Sequence, residues 1–385
     1  MRIAPLRIAI DAHALGRGQA GYESYLRYLI AELPAAAPDA EFLLYVGRDA
    51  AAEGAMPGVS VGVRPVLSAS RSRRLLWDLP RQLWRDRPDV LHVQYVAPFP
   101  CPAPVVATIH DLSFVDVPQF FSAAERAMLR VAVGRTARLA RRVITVSEFS
   151  KQRLMSVYGL KEERVVVAPN AAGPHFHPIR PILPINPIPY ILMVGDLQPR
   201  KNHIGAIRAF AAFAQGRQYR LKIAGRETPF AGEIRREARA SGAGEQIDFL
   251  GYVPDADLPE LYRGADCCLY PSFYEGFGLP VLEAMACGTP VVTSRGTALE
   301  EVAGGAAVLA APDDPREIAL AIASAIARRS SLSPAGLRRA RQFSWQASAR
   351  ETVRAFREAL PGTVPASQEY HEAKSKRQEV GSTTL

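Results

Sequence analysis

Short, nearly continuous apolar runs recur through the first half of the chain: LRIAI (6–10), FLLYVG (42–47), VLHV (90–93), VVATIH (105–110), VITV (143–146) and VVVA (165–168). Between them lie longer stretches with helical spacing. Runs of this length, rich in β-branched residues, suit strands buried between two layers of helices, so the alternation predicts a parallel sheet with crossover helices. Residues 171–190, AAGPHFHPIRPILPINPIPY, break the rhythm with six prolines and read as an interdomain linker. The alternation then restarts with YILMVG (190–195), LKIAG (221–225), IDFLG (247–251), CCLYPS (267–272) and PVVTS (290–294). The pattern predicts two tandem doubly wound α/β domains, over 1–172 and 190–343, joined by a linker over 173–189. Helical patterns over 316–328 and 345–360 follow, and residues 344–360 are expected to pack back on the first domain. Residues 361–385 carry no apolar period and are expected to be disordered.

The 385-residue length fits two domains, and 48% apolar with 22% charged residues is the composition of a globular chain. Arg7 and Asp11 interrupt the apolar start, so MRIAPLRIAIDAHALG reads as a first strand, not a secretory signal. No run of about 18 uncharged apolar residues suggests a membrane span. The four cysteines, Cys101, Cys267, Cys268 and Cys287, lack metal-ligand spacing, which points to a reduced, cytoplasmic compartment. The net charge of +9 favours anionic partners. Much of it gathers between Arg64 and Arg87, where seven arginines interleave with Leu75, Leu76, Trp77, Leu83 and Trp84. Such a stretch fits peripheral contact with an anionic membrane at its inner face. It equally fits a solvated helix face with Leu and Trp turned into the core. It holds no nucleic-acid reading motif.

Open parallel sheets bind ligands at the carboxyl ends of their strands, and the cleft between two such sheets is the natural site. After YILMVG, Gly195 permits a tight turn, and Arg200 and Lys201 precede a helix beginning near Asn202. A guanidinium fork, an ammonium and the free N–H groups of a helix start suit a diphosphate. Solvated surface charge is the bland alternative. The segment PSFYEGFGLPVLEAMACGTPVV (271–292) predicts a turn over Tyr274–Gly278 and a helix over Leu279–Cys287, with Pro280 in its first turn and Gly288 as its cap. Glu275 then lies at a strand end and Glu283 on the helix. Gly276 and Gly278 would leave backbone N–H groups open to a hydroxylated ligand. Each carboxylate can accept hydrogen bonds from sugar hydroxyls. Alternatively, Glu283 complements the helix dipole and Glu275 sits in water. A Gly16–Gly21 loop follows the first strand, and His110 closes VVATIH. Asp255 and Asp257 read as helix-capping groups, and no metal-binding cluster is apparent.

Taken together, PSFYEGFGLPVLEAMACGTPVVTS, VGDLQPRKN (194–202), VSEFSKQRL (146–154), VVVAPN (165–170), GYVPDADLPELY (251–262), AGYESY (20–25) and HDLSF (110–114) resemble the retaining glycosyltransferases of family 4, over about residues 6–360 and in that family's order. The resemblance implies the GT-B fold, two Rossmann-like domains facing across a cleft, the first for the acceptor and the second for a nucleotide diphosphate sugar. By position it implies catalytic roles for Glu275, at the donor sugar, and His110, beside the reacting carbon. It implies donor binding by Arg200 and Lys201 at the diphosphate, Glu283 at the ribose, Val253 near the base, and Gly195, Gly276, Phe277 and Gly278 through backbone groups. Gly21 would approach the donor phosphate or the acceptor. No metal and no cofactor beyond the donor is implied. HDLSF and VPQFFSAAERAMLR are similar to bacterial polysaccharide and lipopolysaccharide members, which implies a mannose-like donor such as GDP-mannose and a glycan or lipid-linked acceptor. The chain departs from the family at Ala20, where glycine is usual, at Asp196, where Arg or Thr is frequent, and at Ala171-Ala172 after Asn170. A noncatalytic nucleotide-sugar-binding subunit, a sugar-nucleotide epimerase and a phosphorylase are the alternatives on a similar fold.

Overall fold

The computed structural model describes residues 5–16, 20–47, 61–65, 68, 70–178 and 188–361. Most of the expected linker and tail, at 179–187 and 362–385, lies outside them. The first half forms β1 (Leu6–Asp11), β2 (Ala40–Val46), β3 (Gly62–Pro65), β4 (Val90–Gln94), β5 (Val105–Thr108), β6 (Arg142–Thr145) and β7 (Val165–Val167). They pair in parallel in the order β3-β2-β1-β4-β5-β6-β7. The second half forms β8 (Tyr190–Val194), β9 (Arg220–Ala224), β10 (Ile247–Gly251), β11 (Cys267–Tyr270), β12 (Val291–Ser294) and β13 (Val308–Ala310). These are also parallel, in the order β10-β9-β8-β11-β12-β13. The tandem doubly wound architecture predicted from the alternation is therefore present.

Two strands have no counterpart in the apolar pattern. Both β3, GVRP, and β13, VLA, lie at sheet edges, where short strands carrying charge or proline are common and lack a long apolar run. CCLYPS stops being strand at Tyr270, because Pro271 has no N–H to continue the ladder.

In each sheet the strand order reverses, between β1 and β4 and between β8 and β11. Chains leaving the carboxyl ends there diverge to opposite faces and open a crevice. The last helix, Trp345–Glu358, lies against the helix Ala20–Ala36 of the first domain. Trp345 stacks on Tyr28 at 5.4 Å, and Val353 and Phe356 are buried there. Arg142 reaches Glu358 at 3.0 Å and Arg357 reaches Asp39 at 2.8 Å. Burying side chains of this size contributes about 1.5–3 kcal/mol each, more than the exposed Arg357–Asp39 pair adds.

The Arg64–Arg87 region contains a helix that passes from Arg71–Arg73 through a π turn, Arg74–Asp78, into Leu79–Asp86. Leu75, Leu79 and Leu83 face the core. Leu76, Trp77 and Trp84 are 57%, 63% and 62% exposed, so the tryptophans do not turn inward as one of the two sequence readings required.

Candidate active site

The chain after β8 is held in place by backbone geometry. Gly195, at φ 152°, allows the Lys201 stem to cross it, so that a Cβ there would lie 3.5 Å from Lys201 Cδ. Pro199–Lys201 makes one 3-10 turn, and Asn202, at φ 60°, caps the helix His203–Ala214. Asparagine is among the few residues that tolerate this left-handed region. Its Oδ1 accepts from the Gly205 N–H at 3.2 Å, while Nδ2 donates to the carbonyls of Pro271 at 3.0 Å and Pro312 at 2.6 Å. The Phe273 N–H donates to the Arg200 carbonyl at 3.0 Å. These bonds staple the Arg200–Lys201 turn to the segment that follows β11.

That segment delivers Glu275. One carboxylate oxygen accepts from Lys201 Nζ at 2.8 Å and from the Tyr270 hydroxyl at 3.0 Å; the other meets Arg200 Nη1 at 3.0 Å. Burial alone would raise the Glu275 pKa, but Arg200 and Lys201 outweigh it and hold the carboxyl at about 2. Arg200 is half-buried, which disfavours its charge, yet Glu275 and Asp111 of the other domain keep it protonated. Glu275 is thus bound by the two cations that the resemblance assigns to the diphosphate.

The glycines beside it are required by close packing. A Cβ on Gly276 would sit 2.1 Å from the His110 carbonyl oxygen, and one on Gly278, at φ 96°, 2.2 Å from Leu299 Cδ2. The space a side chain would need is filled by protein, not left for ligand. The Phe277 ring is buried edge-on to Phe343 at 5.8 Å and does not line the cleft. Hydrogen bonds across the domains fix this contact. The Ser147 hydroxyl donates to the Gly276 carbonyl at 2.7 Å, and the Ser150 hydroxyl reaches the same carbonyl at 3.4 Å. Glu301 accepts the N–H groups of Glu148 at 2.9 Å and Phe149 at 2.8 Å, capping the helix Glu148–Tyr158 from the opposite domain. Tyr274 donates to Asp116 at 2.8 Å.

Across the cleft, His110 lies two residues beyond β5, with its Nε2 2.8 Å from Gln94 Oε1 and its ring packed against Tyr25, Tyr22 and Tyr95 at 4.6, 5.3 and 5.7 Å. Burial and the neighbouring His92 lower its pKa to about 3. A neutral ring donating from Nε2 leaves Nδ1 as its acceptor. Asp111 accepts from the backbone and hydroxyl of Ser113 at 2.9 and 2.8 Å.

Glu283, on the helix Leu279–Ala286, is reached by the Tyr262 hydroxyl at 2.8 Å. Burial raises its pKa to about 7, with Asp255 pushing the same way and Lys201 opposing. Lys201 therefore acts on both glutamates. Asp255 accepts from Tyr28 of the first domain at 2.7 Å and meets His175 at 3.1 Å. Asp257 makes no side-chain cap, so the capping assignment fails for both aspartates. Val253 is half-buried in the loop after β10.

Gly21 falls in the first turn of the helix Ala20–Ala36, not in a loop, and a Cβ there would meet nothing within 4 Å. Residues 17–19 of the expected loop lie outside the described residues. Asp196 does not threaten a diphosphate: Arg226 holds both its oxygens, at 3.1 and 2.8 Å, and its backbone N–H adds a third bond at 3.0 Å. Sequence reasoning passed over Tyr22, Asp111, Tyr262 and Tyr270, although AGYESY, HDLSF, PELY and CCLY contain them. A tyrosine in an apolar run reads as core, and only the fold shows the Tyr262 and Tyr270 hydroxyls reaching Glu283 and Glu275.

Two facing Rossmann-like domains with cations and carboxylates gathered at their switch points define a GT-B glycosyltransferase. Residues 20–174 match the model of Glycosyltransferase Family 4, and residues 178–341 match that of Glycosyl transferases group 1. The chain is 32% identical over 268 residues to the O-antigen chain mannosyltransferase B of Escherichia coli, covering 66% of this chain and 70% of that one. It is 29% identical over 234 residues to the serotype-specific mannosyltransferase WbdA of Escherichia coli, covering 57% of this chain but 29% of that longer protein. Among solved structures, a sucrose-phosphate synthase of Thermosynechococcus elongatus superposes with a TM-score of 0.75 at 22% identity, over 91% of this chain and 98% of its own. The chain belongs to the family 4 glycosyltransferases. Among the described residues, no helix is long and apolar enough to cross a membrane.

Proposed function

We propose that the protein moves a hexose, mannose being the assignment, from a nucleotide diphosphate sugar such as GDP-mannose to a glycan or lipid-linked acceptor in cell-surface polysaccharide synthesis. The observation that carries this reading is the Arg200–Lys201–Glu275 cluster at the switch point of the second sheet, facing His110 and Asp111 of the first. The similarity to O-antigen chain mannosyltransferase B supports mannose. In the proposed reaction the acceptor hydroxyl attacks the anomeric carbon from the face that the diphosphate leaves. The new carbon–oxygen bond forms as the bond to the diphosphate breaks, and the hydroxyl proton passes to a leaving phosphate oxygen. The anomeric configuration is retained without a protein nucleophile. Arg200 and Lys201 meet the charge that develops on the diphosphate, the role a metal fills elsewhere. The uncovered Leu76, Trp77 and Trp84, set among arginines, support contact with the anionic cytoplasmic face of a membrane.

The test is a panel of nucleotide sugars scored by nucleoside diphosphate release with lipid-linked and free glycan acceptors, and by the configuration of the product. Retained transfer from GDP-mannose, abolished by Lys201→Ala, is the expected result. Release from no donor, isomerisation of the donor without acceptor, or an inverted product would overturn the reading.

A further inference from the structure

The helix Ala20–Ala36 of the first domain carries tyrosines at 22, 25 and 28, a spacing that makes each the neighbour of the next on the helix surface. Tyr22 and Tyr25 pack against His110 at 5.3 and 4.6 Å. Tyr28 instead crosses to the second domain, where its hydroxyl donates to Asp255 Oδ2 at 2.7 Å in the loop that follows β10. Its ring stacks on Trp345 of the last helix at 5.4 Å, and its hydroxyl lies so close to the chain at Gly173 that no Cβ would fit there. Partial burial and the Asp255 carboxylate both raise the Tyr28 pKa, so the hydroxyl stays a donor. His175 Nε2 meets the same carboxylate oxygen and the Asp255 carbonyl, each at 3.1 Å.

From Asp255 two routes lead to Glu283. One runs along the chain: the N–H groups of Asp257 and Leu258 donate to the Pro254 carbonyl at 2.9 and 3.3 Å, so the Asp255 turn opens the helix Leu258–Gly264 that carries Tyr262. The other runs through rings, His175 on Phe176 at 4.3 Å and Phe176 edge-on to Tyr262 at 5.9 Å. Both end at the Tyr262 hydroxyl, which donates to Glu283 at 2.8 Å. The Asp255 charge also acts on Glu283 directly. Lys201 acts on Glu275 and Glu283 alike, so a nucleotide sugar with its sugar at Glu275 and its diphosphate on Arg200 and Lys201 would leave its nucleoside at Glu283.

We propose that Tyr28 is a positioning residue for the donor: through Asp255 it fixes the loop and helix that frame Glu283, so that the first domain sets the nucleotide affinity of the second. The proposal rests on the transferase reading and adds to it a residue that acts on the donor only through others. A site framed while this bond is made binds in proportion to the fraction of molecules that make it. Tyr28→Phe removes the bond alone, because the ring can still stack on Trp345 and Asp255 keeps His175.

The test compares the full chain with Tyr28→Phe, Asp255→Ala and the double variant, each checked by thermal melting, by calorimetry with GDP, and by transfer from GDP-mannose to the free and lipid-linked acceptors of the panel above. Tyr28→Phe is expected to raise the GDP Kd and the donor KM about threefold or more, within the range of one net hydrogen bond, with kcat at saturating donor and the acceptor KM unchanged. In the Asp255→Ala background the same substitution is expected to change neither value. An unchanged Kd and donor KM, an equal loss when Asp255 is already alanine, or a loss confined to kcat would overturn the proposal while leaving transfer intact. GDP binding that depends on Tyr28 and Asp255 as expected, in a chain that transfers sugar to no acceptor, would overturn the transferase reading and uphold the Tyr28 assignment. A wild type that binds neither GDP nor GDP-mannose would overturn both.

Discussion

Replacing Glu275 with glutamine tests the cation cluster most directly. The side chain keeps its shape but loses the charge that Arg200 and Lys201 approach at 3.0 and 2.8 Å. The surroundings depress the Glu275 pKa from 4.5 to about 2. At 1.36 kcal/mol per unit this amounts to about 3 kcal/mol favouring the ionised form. Because the folded pKa is lowered, that stability is fully present above pH 4.5 and is lost as pH falls toward 2. Glu275→Gln should therefore melt lower than the wild type at pH 7, by roughly 6–12 °C at 2–4 °C per kcal/mol. The gap should narrow below pH 4.5. The same change should tighten binding of free nucleoside diphosphate, since a carboxylate about 5 Å from an incoming phosphate charge costs about 3 kcal/mol at an effective dielectric near 20. A gain of about tenfold or more in calorimetry with GDP is expected, alongside a fall in transfer. An unchanged melting temperature together with weaker GDP binding would refute the reasoning, because it would mean that Glu275 neither neutralises nor positions the cations.

Three further outcomes follow from other contacts. Gly276→Ala places a methyl 2.1 Å from the His110 carbonyl, so the domains must part there; transfer should fall by about a hundredfold or more while small-angle scattering shows a larger radius of gyration. A compact, active variant would contradict the closed contact. The Glu283 pKa is raised to about 7, so its contribution to stability declines as pH climbs from 4.5 to 7; Glu283→Gln should match the wild type near pH 5 and melt higher at pH 8, while wild-type donor affinity strengthens through pH 7 as the carboxylate becomes a full acceptor for ribose hydroxyls. A pH-independent affinity would remove Glu283 from the ribose. Trp77→Ala with Trp84→Ala, both at exposed positions, should leave the melting temperature within about 1–2 °C and reduce sedimentation with phosphatidylglycerol vesicles at low salt. Sedimentation unchanged by the pair would dismiss the membrane contact.

Much of this architecture is legible because buried parallel strands need unbroken apolar runs, and eleven such runs mark every strand but β3 and β13, two of the four edge strands. The site was legible only as positions. Glu275, Arg200 and Lys201 were placed at strand ends, but their mutual contact depends on Asn202 in a left-handed conformation and on the Phe273–Arg200 bond, neither of which leaves a periodic trace. The glycines show the same limit. A Gly-Phe-Gly turn reads as access for ligand, whereas in three dimensions the vacated volume is occupied by His110 and Leu299, and the Phe277 side chain turns into the core. The tryptophans could have been assigned correctly. Leu75, Leu79 and Leu83 repeat every four residues, and Trp77 stands half a turn from that stripe, so spacing alone directs it outward.

The charge balance of the cluster implies how a donor would be distinguished from its product. Two cations, Arg200 and Lys201, face Glu275, and Asp111 adds its charge from across the cleft. A diphosphate entering alone must draw both cations from Glu275 and leave a buried carboxylate without partners, which costs several kcal/mol. A nucleotide sugar brings its own remedy, because its hydroxyls can donate to the carboxylate at the moment the diphosphate takes the cations. Under the proposed function Glu275 would exchange ion pairs for sugar hydroxyls, and only a ligand carrying both groups would satisfy every member of the cluster. Once the sugar had been transferred in the proposed reaction that compensation would be gone, and the returning attraction of Glu275 for Arg200 and Lys201 would favour release of the diphosphate. Glutamine at this position would break the cycle at both steps, so the ratio of donor to diphosphate affinity, more than either value, is the quantity through which Glu275 acts.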